Sequence, residues 1–455
     1  MIQLILTMLI TAVVIYMLIK KYQPHAVLIL AGILLLIIAY YTGDKAILPA
    51  GKSTGWIGFD VFEFLSQIMK SRVGGIGLII MSAGGFAKYM NHIGAANALV
   101  QMAVRPLKNL KNPYLVLFFV SIIGQLLKIG IPSAAGLAML LLITVYPILV
   151  KLGITPASAA AVIAGTTCLD LGPASATTNV AADLVGMDVV LFFVKMQIPA
   201  TIVPIFIIAI LFYFTQQYFD KKEGLQRGEA SPLAKTDDHD HPHVPQVFAI
   251  LPLIPLILLL IFSKLFVASI ILNVVTAMML SLFIGILANL IYTKNLHESL
   301  RGIMIYFEGM GSIFATVVTL IFAAETFAGG LKAVGFIDML LGITNGQGVT
   351  SMLLMLMLVS IIGVIAILTG SGNAAFFSFG NLAPGFAAGA NIATAALVLP
   401  MQLVSGLFRT MSPVAGVIIA VSGTAEIDPF TIVKRTVIPM AGGILAVVAY
   451  AMIIF

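Results

Sequence analysis

Four short segments rich in Ser, Thr, Asn and Gly interrupt apolar stretches of this sequence, and their side chains could bind a ligand. The first pair contains Ser133 and Ser175–Asn179, and the second contains Ser371–Asn373 and Arg409–Ser412. Ser133 and Ser175 are 42 residues apart, and Ser371 and Ser412 are 41 apart. Backbone inside a bilayer must satisfy its own hydrogen bonds, so such breaks persist only where they line a cavity. Matching pairs of breaks in two halves are typical of the substrate site of a secondary transporter.

The residue types in these segments suit a carboxylate ligand. Glycines let the chain turn sharply and let a ligand approach the backbone, and a helix that begins at Ala374 would aim free amide groups at the turn. The alternative is a packing turn of small residues between helices, with Ser, Thr and Asn only capping the new helices. The predicted substrate-binding residues are Ser133, Ser175, Thr177, Thr178, Asn179, Ser371, Gly372, Asn373, Arg409, Thr410 and Ser412.

Arg409 lies inside the largely apolar stretch Ile392–Val421 and therefore needs a partner. An arginine at the bilayer centre costs about 2.5–3.5 kcal/mol on insertion scales. Asp170 occupies nearly the same place in the first half, since a shift of 238 residues puts it at position 408. Arg409 could hold a substrate carboxylate bidentately, or it could form a structural ion pair with Asp170. The two partners could also alternate during transport.

Other ionisable residues in apolar stretches are candidates for ion coupling. Glu325 lies close to Thr326 and two glycines and is a candidate proton carrier together with Asp170, because buried carboxylates can bind protons near neutral pH. Glu325 could equally lie at the end of a span. Lys128 and Glu308 are further intramembrane candidates, whereas Lys88 is expected to extend its amine to the membrane interface.

The composition predicts an all-α, polytopic membrane protein. Of the 455 residues, 60% are hydrophobic and only 9% are charged, whereas soluble domains are roughly one quarter charged. Several apolar runs approach the length of about 20 residues that crosses a bilayer. Basic residues such as Lys434 and Arg435 are expected at span ends, where they anchor headgroups, so the net charge of +6 does not indicate nucleic acid.

The sequence lacks the signals of catalysis or of a bound metal. The single Cys168 excludes an internal disulfide and a cysteine-based metal cluster, and we find no Ser/His/Asp set. The run His239-Asp240-His241-Pro242-His243 could hold a metal, but a solvated linker explains it better. We predict no enzyme activity, cofactor or metal site.

The chain divides into two related halves. A polar segment over 220–245 separates a membrane repeat with a leading helix (1–219) from a second membrane repeat (246–455). Phe86-Ala87 and Gly94 align without gaps to Phe327-Ala328 and Gly335 at an offset of 241, close to the 238 of the breaks. We expect two repeats, each with a re-entrant hairpin and a broken helix, and a ligand site at their interface.

Three segments resemble the DcuC-type anaerobic C4-dicarboxylate carriers, a family within the larger ion-transporter superfamily. They are Thr369–Ala374, Arg409–Val414, and Ile427–Phe430 with Val433–Arg435; the first-half run Phe86–Gly94 also fits. The resemblance covers essentially the whole chain. It implies uptake, exchange or efflux of fumarate, malate, succinate and aspartate across a bacterial inner membrane by a multi-pass protein.

The resemblance also implies inverted repeats, an elevator-type mechanism and a dimeric scaffold, so the expected partners are the dicarboxylate, the lipid bilayer and a second copy of the chain. Sodium-coupled relatives carry Ser-Asn-Thr at their hairpin tips. Here the tips read Pro132-Ser133-Ala134 and Ser371-Gly372-Asn373. This difference argues against their sodium sites, so the expected coupling ion is a proton, with exchange left open.

Carriers of another small organic anion or of an amino acid remain the nearest alternative. A membrane-embedded enzyme is a weaker interpretation because the sequence shows no nucleophile–base set. An ion channel is weaker still, because the breaks contain neither a ring of charges nor a repeated carbonyl filter.

Overall fold

The computed structural model describes residues 2–42, 47–48, 51–110, 112–223, 244–264, 266–267, 269–336 and 351–455. These residues form helices joined by turns, and no strand occurs among them. Eight of the described helices are long and apolar enough to cross a membrane. The predicted all-α, polytopic architecture is confirmed.

The first half of the chain contains twelve α-helices among its described residues. Four of them flank two π-helical segments, Val73–Gly77, which contains a kink at Gly75, and Phe193–Gln197. The α-helices are α1 (Ile2–Ile19), α2 (Pro24–Thr42), α3 (Ile57–Arg72), α4 (Leu78–His92), α5 (Ala95–Val104), α6 (Pro113–Gly130), α7 (Ala134–Thr144), α8 (Tyr146–Lys151), α9 (Pro156–Gly165), α10 (Ala176–Val185), α11 (Val189–Phe192) and α12 (Ile198–Lys222).

The second half begins with a short 3-10 helix, Gln246–Leu253, and contains a π-helical segment at Phe314–Val318. Its described α-helices are α13 (Ile254–Ile261), α14 (Val274–Thr293), α15 (Leu296–Ile313), α16 (Thr319–Ala333), α17 (Ser351–Thr369), α18 (Gly372–Gly380), α19 (Ala383–Gly389), α20 (Thr394–Thr410), α21 (Gly416–Ala425) and α22 (Pro429–Ile454).

Helix ends explain why the chain breaks where it does. Pro113 starts α6, and the Asn112 side chain accepts hydrogen bonds from the amides of Tyr114 and Leu115. Ser133 restarts the chain as α7, and its hydroxyl accepts from the amide of Gly136 at 3.1 Å. Ser371 does the same for α18 by accepting from Ala374 at 3.1 Å. Polar caps of this kind satisfy amides that have no partner within the helix, so each half contains a helical hairpin with a polar tip.

The same series of elements occurs in both halves. A long helix with a π-helical segment (57–92, and 296–333) comes first; a hairpin (113–144, and 351–380) and a broken helix (156–185, and 394–425) follow. The π-helical segments Val73–Gly77 and Phe314–Val318 are separated by the offset of 241 found in the sequence. Gly94 and Gly335, aligned at this offset, both have positive φ, of 74° and 70°.

The helices pack in two groups. In one, α2 packs against α16, and α4 packs against α14 and α15. In the other, α12 packs against α6 and α22, and α20 packs against α17, α18 and α22. Within the second group the halves interlock, because α7 contacts α21 and α10 contacts α18. Each hairpin therefore packs against the broken helix of the other half.

A buried ion cluster fastens the end of α12 to α22. Arg435 is fully buried and donates to Asp220 Oδ1 at 2.7 Å, to Glu223 Oε2 at 2.6 Å and to Ser158 Oγ at 2.8 Å. The Thr155 hydroxyl also donates to Asp220 Oδ1, at 2.9 Å. The prediction that Arg435 anchors headgroups at a span end is wrong, because its buried guanidinium pairs with the carboxylates of Asp220 and Glu223.

The burial of Asp220 in this cluster means that the polar linker starts later in the chain than predicted. Asp220 belongs to the last turns of α12 and is buried, so the polar segment does not begin at residue 220. Most of the predicted linker, including the histidine-rich run at 239–243, lies outside the described residues.

Candidate functional site

One cavity of about 420 Å³ lies between the two groups of helices. One wall belongs to α4 and to α15 with the following π-helical segment, and it includes Ile80, Gly84, Asn91, Ser312 and Val317. The opposite wall is made by the polar breaks of the hairpins and broken helices.

All four breaks contribute to this cavity. The tip of the first hairpin supplies Ser133, and the first broken helix supplies Ser175 and Thr177. The tip of the second hairpin supplies Asn373, and the second broken helix supplies Arg409. The predicted convergence of the four breaks is therefore what the structure shows, and five of the eleven predicted binding residues face one space.

A buried charge triad lies on the same wall. Lys128 Nζ is 2.8 Å from Asp170 Oδ1, and Arg409 Nη1 is 3.7 Å from Asp170 Oδ2. The exposed fractions of the Lys128, Asp170 and Arg409 side chains are only 2%, 8% and 12%. Two cations share one carboxylate, so the triad carries a net charge of +1. A positively charged cavity attracts anions.

The position of Arg409 follows from the end of α20. It lies in the last turn of that helix, and its Nη2 donates to the carbonyl oxygen of Thr167 at 2.6 Å. Thr167 follows the C-terminus of α9, where exposed carbonyls favour a cation. Arg409 Nε and Asp170 Oδ2 are both buried, and neither has a hydrogen-bond partner among the described residues. Arg409 thus joins the two halves, and its Nε keeps unused donor capacity.

Lys128 is placed by the first hairpin. It lies in the last turn of α6, and its amine contacts both the Asp170 carboxylate and the carbonyl oxygen of Pro132 at the hairpin tip. From the sequence, Lys128 is recognisable only as an ionisable residue in an apolar stretch. Its spacing of four residues from Pro132 lets the side chain return to its own hairpin tip, and the ion pair with Asp170 connects that tip to the first broken helix.

Helix N-termini add donors to the cavity wall. Ser175 occupies the N-cap of α10 but makes no capping hydrogen bond, and its Oγ lies 3.2 Å from Thr177 Oγ1. The first amides of α10 are therefore not satisfied by the cap hydroxyl. Unsatisfied amides with the positive end of a helix dipole are suited to a carboxylate.

The other predicted binding residues of the first broken helix are turned towards the backbone. The Thr178 hydroxyl donates to the carbonyl of Asp170 at 3.3 Å. Asn179 Nδ2 donates to the carbonyls of Pro173 and Ser175 at 2.8 and 2.7 Å. Neither residue lines the cavity, and their side chains hold the shape of the break.

Four predicted residues of the second half are likewise absent from the cavity wall. Ser371 caps α18, and Gly372 packs so tightly that a Cβ would lie 2.5 Å from the carbonyl oxygen of Ser405. The Thr410 hydroxyl donates to the Gly406 carbonyl at 2.9 Å. Ser412 is fully buried, and its hydroxyl accepts from the amide of Val414 at 3.4 Å. Five of the eleven predicted residues therefore line the cavity, and the other six do not.

Two buried glutamines, which the sequence did not single out, hold the first break in position. Gln402 Nε2 donates to the carbonyl of Asp170 at 2.8 Å and to Thr177 Oγ1 at 3.1 Å. Gln197 Nε2 donates to Gln402 Oε1 at 2.9 Å and also to the Asp170 carbonyl at 3.3 Å. Both glutamines are fully buried. Together with the Thr178 hydroxyl, their amides make three donors to the carbonyl oxygen of Asp170.

Glu325 lies away from the cavity, in an ion cluster of its own. Arg72 at the end of α3 pairs with Glu325 on α16, and its Nη1 also lies 2.7 Å from Asp183 Oδ2 on α10. Glu325 does not line the cavity. Of the two predicted coupling candidates, only Asp170 reaches the charged wall.

Lys88 and Glu308 form an exposed ion pair beside the cavity. Their charged atoms are 2.9 Å apart, and 46% and 57% of the two side chains are exposed. Lys88 lines the cavity, and its amine pairs with Glu308 beside this opening. No group of three or more His, Cys, Asp or Glu side chains that could hold a metal occurs within the described ranges.

Broken helices around a charged cavity in an all-helical, multi-pass protein define a membrane transporter. Two solved transporters share this fold: MtrF of Neisseria gonorrhoeae, described among antimetabolite efflux pumps, and YdaH of Alcanivorax borkumensis. Their TM-scores are 0.67 and 0.68, each at 16% identity. The alignments cover 95% of this chain in both cases, and 95% and 98% of those chains. At this identity the likeness concerns the fold alone.

Sequence comparison identifies the family. The chain belongs to the C4-dicarboxylate anaerobic carriers, DcuC, whose family model matches residues 2–455. It is 37% identical over 432 residues to the anaerobic C4-dicarboxylate transporter DcuC of Escherichia coli O6:H1, which covers 94% of this chain and 92% of that protein. A DcuC of Escherichia coli K12 is 36% identical with the same coverage. The protein is therefore a transporter, not an enzyme, and a multi-pass protein of the bacterial inner membrane.

Proposed function

We propose that this protein is a secondary active carrier that moves succinate, fumarate, malate and aspartate across the inner membrane by uptake, exchange or efflux. One observation carries the proposal: Arg409 and Lys128 lie in one cavity that all four breaks line. A dicarboxylate has two anionic ends, and this wall has two cations with only one carboxylate between them. Membership of the dicarboxylate carrier family supports the same substrate class.

The dianion would bind across the cavity. Arg409 offers its planar guanidinium, whose Nε has no partner among the described residues, to one carboxylate. The second carboxylate would lie near Lys128 and the open amides at the start of α10. Ser133, Ser175, Thr177 and Asn373 supply neutral hydroxyl and amide groups. Ser175 belongs to the first repeat and Arg409 to the second, so both repeats would contact one bound substrate.

Alternating access would follow from movement of the second group of helices. The proposed moving unit consists of the hairpins (113–144 and 351–380) and the broken helices (156–185 and 394–425), which interlock across the halves. The wall built by α4 and α15 would stay with a homodimeric scaffold. In this proposal the repeats 1–219 and 246–455 are inverted, and the cavity moves as a unit in an elevator-type mechanism.

The proposed coupling ion is a proton. Hairpin tips that lack the Ser-Asn-Thr sequence of sodium-coupled relatives support this choice. The charge balance of the cavity supports it as well, because Asp170 is the single carboxylate among the described residues that line the cavity, and it is paired with Lys128 and close to Arg409. Both symport with protons and exchange of one dicarboxylate for another fit a site of this kind.

Uptake of labelled succinate into proteoliposomes tests the proposal. A proton gradient, a sodium gradient and internal succinate are imposed in separate reactions. We expect uptake above protein-free liposomes with the proton gradient and with internal succinate, and no stimulation by sodium. Fumarate and malate should compete for uptake, whereas butyrate, which has one carboxylate on the same carbon skeleton, should not.

The control protein is the Arg409→Ala variant, reconstituted at the same density. Succinate uptake equal to that of protein-free liposomes under every gradient would contradict the proposed function. Competition by butyrate as strong as that by fumarate would contradict the two-ended binding mode.

A further inference from the structure

We propose, on the premise that the cavity carries dicarboxylates, that Asp170 stands in for a substrate carboxylate in the empty site and binds the coupling proton when substrate replaces it. Lys128 and Arg409 then exchange one ion-pair partner, the Asp170 carboxylate, for another, the substrate carboxylates. The proton enters from solvent and forms an O–H bond on Asp170, while the ammonium hydrogen bond of Lys128 passes to a substrate oxygen.

The first support is the geometry of the shared ion pair. Lys128 and Arg409 come from different repeats, on the first hairpin and the second broken helix, yet both lie within 4 Å of one carboxylate. Lys128 makes the closer contact, at 2.8 Å, and Arg409 the looser one, at 3.7 Å. A carboxylate held between two cations that also line a cavity occupies the position that an entering anion would need.

The second support is the set of unused bonding positions. Asp170 Oδ2 and Arg409 Nε are buried, and neither has a hydrogen-bond partner in the described part of the chain. Leaving buried polar atoms unpaired is costly. A substrate carboxylate that replaces Asp170 at Arg409 would give Nε an acceptor, and a proton on Oδ2 would convert that unpaired acceptor into a donor.

The third support is charge balance. The empty triad has a net charge of +1, because Lys128 and Arg409 face one carboxylate. A bound dianion would change the net charge to −1 inside packed protein, where an uncompensated charge is strongly unfavourable. One proton on Asp170 leaves two cations facing a dianion, and the loaded cavity becomes neutral before it moves.

Asp170 cannot avoid the substrate by withdrawing. Its carbonyl oxygen accepts hydrogen bonds from Gln402 at 2.8 Å and from Gln197 and Thr178, each at 3.3 Å. These donors fix the backbone of the break, and the carboxylate remains on the cavity wall. A proton on Asp170 would remove the repulsion between its carboxylate and a dianion.

The other titratable groups around the cavity are less suited to this task. Cys168 is fully buried beside the triad and does not line the cavity. Lys88, across the cavity, is paired with Glu308, and Glu325 is paired with Arg72 outside the cavity. Among the described residues that line the cavity, Asp170 is the single carboxylate.

Calorimetry of succinate binding to the purified full-length protein tests this proposal. Binding heats are measured at one pH in two buffers of different ionisation enthalpy, with the protonation of succinate itself subtracted. We expect uptake of about one proton per succinate, and an affinity that rises up to about tenfold for each unit by which pH falls. Asp170→Asn should bind succinate at least as tightly, without proton uptake and without pH dependence. Glu325→Gln is the matched control, since it removes the other predicted coupling acid and should keep the proton uptake.

Each outcome separates this proposal from the proposed function. Succinate binding by the wild-type protein without proton uptake would overturn the role of Asp170 and leave the dicarboxylate function intact. Persistent proton uptake in Asp170→Asn would also overturn it. The wild-type measurement decides the question even if that variant does not fold. Absence of any succinate binding by the folded wild-type protein would overturn the proposal together with the proposed function.

Discussion

Replacing Arg409 with alanine is expected to weaken succinate binding by roughly two orders of magnitude. Removing one partner of a buried, hydrogen-bonded charge pair costs about 2–5 kcal/mol. A loss of about 3 kcal/mol corresponds to roughly a 150-fold increase in the dissociation constant, at about 1.4 kcal/mol for each factor of ten. We expect a loss of binding free energy near this value because only 12% of the Arg409 side chain is exposed and its Nε has no partner among the described residues.

The Arg409→Lys variant separates charge from shape. Lysine keeps a cation near Asp170 and Thr167 but lacks the planar pair of donors that a carboxylate accepts. We expect it to recover part of the lost affinity and to leave a weaker site than the wild-type protein. The exposed Arg105 in the 3-10 turn after α5 provides the control, since Arg105→Ala removes the same charge away from the cavity and should leave succinate affinity unchanged.

The assay is isothermal calorimetry with purified protein, combined with thermal unfolding to verify that each variant is folded. Arg409 also donates to the Thr167 carbonyl at 2.6 Å, so a moderate loss of stability is expected in the alanine variant. Unchanged succinate affinity in a folded Arg409→Ala protein would refute the assignment, and Arg409 would then serve only to join the two halves.

Further predictions concern the hairpin tip, the buried cluster and the packing of the breaks. Asn373→Ala should lower succinate uptake several-fold without changing the thermal transition, whereas Ser371→Ala should cost about 1 kcal/mol of stability through the lost cap and keep the succinate affinity. A loss of affinity in Ser371→Ala together with a loss of stability alone in Asn373→Ala would contradict the binding role of Asn373 and the capping role of Ser371. Asp220→Ala removes the more buried of the two carboxylates that pair with Arg435 and leaves only Glu223, so it should destabilise the protein by about 3 kcal/mol; an unchanged unfolding temperature in detergent would contradict this. Gly406→Ala should impair binding, because a Cβ there would lie 2.2 Å from a carbonyl oxygen of the first break, whereas Gly416→Ala, which adds a Cβ in open space, should not.

The positions of the breaks could be predicted because they depend on local chemistry. Pro and Ser end one helix and start the next at Ser133 and Ser175, and the caps observed at Ser133 and Ser371 follow the same rule. The repeat was also visible in the sequence, since the 241-residue offset of Phe86 and Phe327 recurs in the two π-helical segments. Local signals of this kind survive folding because a helix terminus must satisfy its own amides.

The partners of the buried charges could not be predicted, because they depend on which helices meet. Arg435 lies in a stretch with the composition of a span end, yet its partners Asp220 and Glu223 are more than 200 residues away. Gln197 lies in the π-helical segment Phe193–Gln197 and Gln402 lies in α20, and only the fold brings them to one carbonyl oxygen. Composition identifies a buried polar group, whereas its role follows from long-range packing.

Structure determination in the presence of succinate tests the central claim most directly. We predict density for one dianion in the cavity, with one carboxylate at Arg409 and the other near Lys128 and the start of α10, contacted by the tips of both hairpins. A second structure, determined without succinate, should show Lys128 paired with Asp170. Succinate bound outside the cavity, or held by one repeat without a contact to Arg409, would contradict the claim that the four breaks form one substrate site.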